Sequence, residues 1–159
     1  MKLPLALTAI AAACLAAGAD AAKTNIEYLN SGKVLPKTLP FSEAVRVGNT
    51  LYLSGQLGVE PGTTNLVAGG IQAEAKQAMQ NIKTSLEANG YAMNDLVKCT
   101  VMLADMKDWP AFNDAYKSFF ADHYPARSAF GTTGLALGAR VEIECIAATD
   151  KVMATNTVR

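Results

Sequence analysis

Apolar residues recur along this chain with two different periods, and each change of period marks a new element. Ile71, Ala75, Ala78, Met79, Ile82 and Leu86 fall on one face of a helix that ends near Asn89-Gly90. Trp109, Phe112, Tyr116, Phe119 and Phe120 form an aromatic stripe at the same spacing, Asp108 stands where it can cap this second helix, and Asn113 lies off the stripe. Elsewhere the period is two. Residues 44–47 and 51–54 flank Gly48-Asn49-Thr50 as a hairpin. On its second strand Leu51, Leu53 and Gly55 face one side, and Tyr52, Ser54 and Gln56 the other. In 97–103, Val97, Cys99, Val101 and Leu103 oppose Lys98, Thr100 and Met102. A strand from Arg127 to about Thr132 follows the second helix, and a turn over 134–138 leads into 140–148. There Val141, Ile143, Cys145 and Ala147 point one way, with Glu142, Glu144 and Ile146 on the opposite face. Residues 23–40, broken by Pro36 and Pro40, form an arm with room for a short strand, and 58–70, with Pro61-Gly62 and Gly69-Gly70, form a loop.

The pattern predicts an α+β domain over 23–150, with about six strands in a mixed sheet and two helices on one face, without repeats. A chain of 159 residues, half of them hydrophobic, can bury one such core. Two helices cover one face only. The other carries Tyr52, Ser54, Gln56, Lys98, Thr100, Met102, Glu142, Glu144 and Ile146, too mixed for a solvent face, and is expected to pack against another copy, sheet to sheet. Ahead of the domain, Lys2, the apolar run 3–17 and the small residues Ala19-Asp20-Ala21 have the order of a secretory signal peptide over 1–22. The run is shorter than the roughly 20 apolar residues of a membrane anchor. Export to the periplasm or secretion is therefore expected, with no membrane attachment after cleavage. Residues 151–159 are polar and read as a frayed tail.

Acidic and basic residues balance at 14 each, which gives no support for a nucleic-acid partner. Once the leader and Cys14 are removed, Cys99 and Cys145 remain, and both are expected to be small buried hydrophobes rather than a disulfide. No Cys-x-x-Cys and no histidine cluster suggests a metal, and the lone His123 is expected at the surface after the second helix. Ser54 lacks the His and acid partners of a nucleophile, and Gly55 is a place where a ligand could approach the backbone.

Chemistry concentrates in Tyr124-Pro125-Ala126-Arg127-Ser128-Ala129-Phe130 and the strand after it. Arg127 can grip a carboxylate through two hydrogen bonds, and Glu142, among apolar neighbours, can act as a base beside it, so the two are expected to work as a charged pair. A purely structural ion pair has the same residue signature.

Pro125-Ala126-Arg127-Ser128 followed by Val141-Glu142-Ile143-Glu144 resembles the signature of the Rid (reactive intermediate deaminase) family, and the likeness continues through Ser54-Gly55-Gln56, residues 97–101 and Leu103-Ala104-Asp105-Met106. The resemblance implies a chorismate-mutase-like homotrimer with sites in the clefts between subunits. It also implies cofactor-independent hydrolysis of 2-imino or 2-enamino acids to 2-oxo acids and ammonia. Carried over by position, Arg127 would hold the substrate carboxylate with help from backbone N–H groups near Gly55 and Ala129, Asn113 would stand near the substrate, and Glu142 would handle the water's proton. Phe41 stands where the well-known deaminases carry a tyrosine, and Ala129 where they carry a cysteine. Two other readings are a non-enzymatic exported protein that binds small carboxylates in the same cleft, and an interaction module or ribonuclease-like activity.

Overall fold

The computed structural model describes residues 24–151. The expected leader and the tail after Lys151 lie outside the described residues. Strands β1 (Ile26–Leu29), β2 (Ala44–Val47), β3 (Thr50–Leu53), β4 (Gln56–Leu57), β5 (Leu96–Leu103), β6 (Ala126–Gly131) and β7 (Val141–Ala148) make one sheet, with helices α1 (Gly70–Ala88) and α2 (Trp109–Lys117). The order is β1-β2-β3-β7-β5-β6, with β4 also alongside β7. Only β5 and β6 run parallel, joined through α2, and the other pairs are antiparallel. The expected α+β architecture is present, with one strand more than the pattern suggested.

That extra strand comes from a bulge. Tyr52 lies opposite Ile146 and Gln56 opposite Ile143, four residues on one side (56 − 52) against three on the other (146 − 143). The additional residue at Ser54-Gly55 splits the expected continuous strand and inverts its alternation. Gln56 is therefore fully buried with Leu53 instead of sharing the face of Tyr52. The Ser54 hydroxyl donates to the Ser42 carbonyl oxygen at 2.7 Å, which pins the bulge. A second irregularity between Leu96 and Lys98 buries Leu96 and Cys99 and turns Val97 outward, so Val97 does not share the face of Cys99 as its position suggested.

Both helices pack on one face of the sheet. Ala75, Ala78, Met79, Ile82 and Leu86 of α1 and Phe112 and Tyr116 of α2 meet Leu51, Val101, Ile143 and Ala147 in a single core. Both cysteines are buried, but they are not separate. Cys99 and Cys145 face each other across β5 and β7 and form a disulfide, with Cα atoms 4.1 Å apart. The expectation of two unpaired thiols is corrected, because direct opposition in an antiparallel ladder gives the closest Cα approach a sheet offers.

Three buried acids tie loops to this frame. Glu43 accepts hydrogen bonds from the Ser31 hydroxyl and backbone N–H and from the Ser85 hydroxyl of α1, at 2.6–3.2 Å, so the arm is anchored to the helix. Glu74 of α1 accepts from the Arg140 backbone N–H at 2.8 Å. Asp108 does not cap α2 with its side chain, contrary to expectation, but takes the Arg140 guanidinium in two hydrogen bonds at 2.7 and 2.8 Å. The turn preceding β7 is thereby held at both ends of Arg140.

Candidate functional site

Glu142 lies near the start of β7, on the face away from the helices, between buried Val141 and Ile143. Its register partners are Leu57 of β4 and Met102 of β5. The bulge brings Gly55 against it so closely that a Cβ on Gly55 would sit 2.0 Å from Glu142 Oε1. The direction a side chain would take at Gly55 is thus filled by the carboxylate, while Gly55 itself lines the cavity beside it. Burial, and then the charge of nearby Glu144, push the Glu142 carboxyl above the usual carboxylate range. Above Glu142 opens a cavity of about 290 Å³ whose walls include Leu39, Phe41, Leu57, Val59 and Leu137. A half-buried carboxylate with a raised pKa beneath an apolar cavity is suited to take a proton from a water and return it.

Alanine at position 55 is expected to push the carboxylate out of line, because the group in the way is the end of a flexible side chain. Displacement of a reacting group by about 1 Å costs on the order of 10²-fold in rate. A Gly55→Ala protein should therefore lose turnover to about that extent while thermal denaturation shows a much smaller change.

Arg127 stands on the other side of the sheet. In the edge strand β6 it lies beside Cys99, and its guanidinium reaches over α2, 4.6 Å from the Tyr116 ring centroid, 5.0 Å from that of Trp109 and 5.6 Å from that of Phe112. Its Nη2 donates to Asn113 Oδ1 at 2.8 Å. Asn113, four residues after Trp109, shares the helix face that holds this cage, so it does not stand apart from the aromatic stripe. Among the described residues no carboxylate pairs with Arg127. Burial pushes the Tyr116 phenol up to about 12 despite the opposing pull of Arg127, so this wall of the cage is neutral and leaves the cation uncompensated. The guanidinium is oriented by stacking and one amide, and it opens with Asn113, Lys117 and Tyr124 onto a surface cavity of about 370 Å³, where an anion could be held.

Arg127 and Glu142 therefore do not form the expected charged pair within one chain. They belong to opposite faces of the sheet, with β5 between their strands, and they line different cavities. Gly55 and Phe41 go with Glu142. Asn113 goes with Arg127, and Ala129, two residues further along β6, is partly buried against the helix-side core. The sequence shows Trp109, Phe112 and Tyr116 as an aromatic stripe with no sign of the arginine stacked on it, and it does not single out Leu137. The arginine cage had one signal, the i, i+4 spacing of Trp109 and Asn113, and Leu137 had another, its place one residue before Gly138 in a glycine-bounded turn. Among the described residues no group of three or more His, Cys, Asp or Glu side chains could hold a metal ion, and no helix is long and apolar enough to cross a membrane.

Residues 33–149 match the profile of the family described as Endoribonuclease L-PSP. A 2-iminobutanoate/2-iminopropanoate deaminase of Capra hircus is 50% identical over 108 residues, which cover 68% of this chain and 79% of that protein. The Homo sapiens protein of the same name is 44% identical over the same shares of the two chains. Among solved structures, RidA from the Antarctic bacterium Psychrobacter sp. superposes with a TM-score of 0.73 at 39% identity, covering 77% of this chain and 99% of that one. E. coli TdcF with bound serine gives 0.72 at 30% identity, covering 77% and 98%.

Proposed function

This chain belongs to the Rid (Endoribonuclease L-PSP) family, and on that footing we propose that it is a deaminase that hydrolyses 2-imino acids to 2-oxo acids and ammonia. The observation that carries the proposal is Glu142, a carboxylate with a raised pKa set against Gly55 beneath an apolar cavity. The relatives named as 2-iminobutanoate/2-iminopropanoate deaminases support the reaction class.

In the proposed reaction Arg127 holds the substrate carboxylate. A water near Glu142 attacks C2 of the imine in its protonated form, C=NH2+: its oxygen forms the new C–O bond as Glu142 takes one of its protons and the C=N π pair moves onto nitrogen. The nitrogen, now an amine on a tetrahedral carbon, receives a proton from Glu142. The C–N bond then breaks with its electron pair leaving on nitrogen, the hydroxyl proton is released, and the products are ammonia and the 2-oxo acid. The imine carbon is already electrophilic, so positioning and proton transfer are the contributions asked of the protein.

Because Arg127 and Glu142 lie on opposite faces of one chain, the proposal includes a site shared between copies, with Arg127 of one subunit brought over the Glu142 cavity of the next. The open sheet face favours this assembly. It presents Tyr52 and Phe130, each nearly half exposed, beside Lys98, Thr100, Met102 and Glu144. Phe41, 48% exposed at the same cavity, offers a ring and no hydroxyl, so water placement falls to Glu142 and the backbone. The reading further includes export: the leader-like residues 1–22 and the Cys99–Cys145 disulfide both suit an oxidising compartment. The test is release of 2-oxo acid from imines generated in place by an amino-acid oxidase, with semicarbazide as the competing trap. Acceleration over the spontaneous rate supports the proposal, and turnover equal to the protein-free rate overturns it.

A further inference from the structure

The cavity over Glu142 has more room, and a more apolar wall, than the smallest imine uses. Its volume of about 290 Å³ corresponds to roughly ten water-sized groups at about 30 Å³ each. The imine of alanine carries a single methyl group as its side chain. Leu35, Leu39, Phe41, Leu57, Val59 and Leu137 line the cavity, and Glu142 is its only charged side chain.

Leu137 stands out in this wall. Its φ of 60° and ψ of 8° put it in the left-handed region, and it is the one non-glycine residue with positive φ among the described residues. A γ-branched apolar residue is poorly suited to that conformation, which glycine or asparagine adopts more readily. The next residue, Gly138, also has a positive φ, and the pair carries the turn past the cavity mouth, where Leu137 is 56% exposed. A side chain that is both apolar and exposed, on backbone that disfavours it, gains contact when a substrate side chain, or the neighbouring subunit at the cavity mouth, packs against it.

We propose that this cavity is a side-chain pocket selecting 2-imino acids with large apolar side chains, and that Leu137 at its rim is a specificity-determining residue. The inference rests on the deaminase reading. An apolar side chain would bury its surface against apolar walls. An acidic one would give up its hydration for two threonine hydroxyls, Thr63 and Thr64, and would meet the charge of Glu142.

The test compares kcat/KM of the purified full chain for imines derived from alanine, leucine and glutamate, generated by the oxidase and competed against semicarbazide. The leucine-derived imine is expected to exceed the alanine-derived one by at least about 10-fold, with the glutamate-derived imine the poorest. Leu137→Asn keeps a residue that tolerates positive φ and has nearly the same size, and it should cut the leucine-to-alanine ratio by about 5- to 10-fold. A wild-type ratio near one, with all three imines turned over, overturns the pocket. A high ratio that Leu137→Asn leaves unchanged overturns the role of Leu137. Turnover of none of them above the spontaneous rate defeats the deaminase reading and this inference with it, a result distinct from equal turnover of all three.

Discussion

Glu142→Gln is expected to lower kcat for imine hydrolysis by about 10²–10⁴-fold, the usual contribution of a positioned general base, and at the same time to make the protein more heat-stable at neutral pH. The two effects have one origin. Burial and Glu144 raise the Glu142 pKa above its value in the unfolded chain, so folding is favoured when the group is protonated. Its stabilising share is fully present below the unfolded pKa, about 4.3, and is lost as pH rises through the folded value. At pH 7 the wild type holds an ionised carboxylate in a poorly hydrated place, and the amide removes that cost. Thermal denaturation should show the variant melting higher at pH 7, with the gap closing as pH falls toward about 4. Wild-type turnover should rise with pH through the raised pKa, since the base must be unprotonated to accept from water. A variant that melts lower than wild type at pH 7 would mean that Glu142 is a stabilising ionised partner and not a strained base.

Arg127→Ala should have the second large effect, a fall of about 10²–10³-fold in kcat/KM, which corresponds to the roughly 3–4 kcal/mol lost with a desolvated charge contact. Arg127→Lys should recover only part of it. Lysine keeps the charge, but it cannot present the planar fork or lie flat against Trp109, Phe112 and Tyr116. Steady-state kinetics on one imine with wild type and both variants checks the ordering. Equal rescue by lysine would show that charge alone matters and that the aromatic cage is core packing.

The helices were legible from the sequence because a stripe of apolar residues at helical spacing has few other solutions, as Ala75, Met79, Ile82 and Leu86 illustrate. Asn113 was set off that stripe because the stripe was drawn through aromatic residues, although Asn113 follows Trp109 by one helical turn. Strand alternation was legible only up to the first extra residue. At Ser54-Gly55 and at Val97 a bulge inverts the parity, and a period-two pattern carries no mark of where that occurs. The disulfide depends on the register between two strands whose cysteines are 46 residues apart, which neither strand's own sequence specifies. That Arg127 and Glu142 take opposite faces within one chain was not legible for the same kind of reason. Each residue's alternation within its strand could be read, but which sheet face each alternation selects is set by the α2 crossover and the β5 strand between them.

The most direct test of the central proposal, that Arg127 of one copy and Glu142 of another share a site, is to mix two variants that are each inactive. Arg127→Ala and Glu142→Gln chains, co-expressed with different tags and purified through both, carry between them one intact arginine and one intact glutamate. If the site is built across the subunits of a three-membered ring, every assembly retained by both tags has one intact site in its three, so about a third of the sites are restored, and imine hydrolysis returns where neither variant alone shows it. Mixed assemblies as inactive as each variant alone would contradict the shared site and require both groups to act within a single chain.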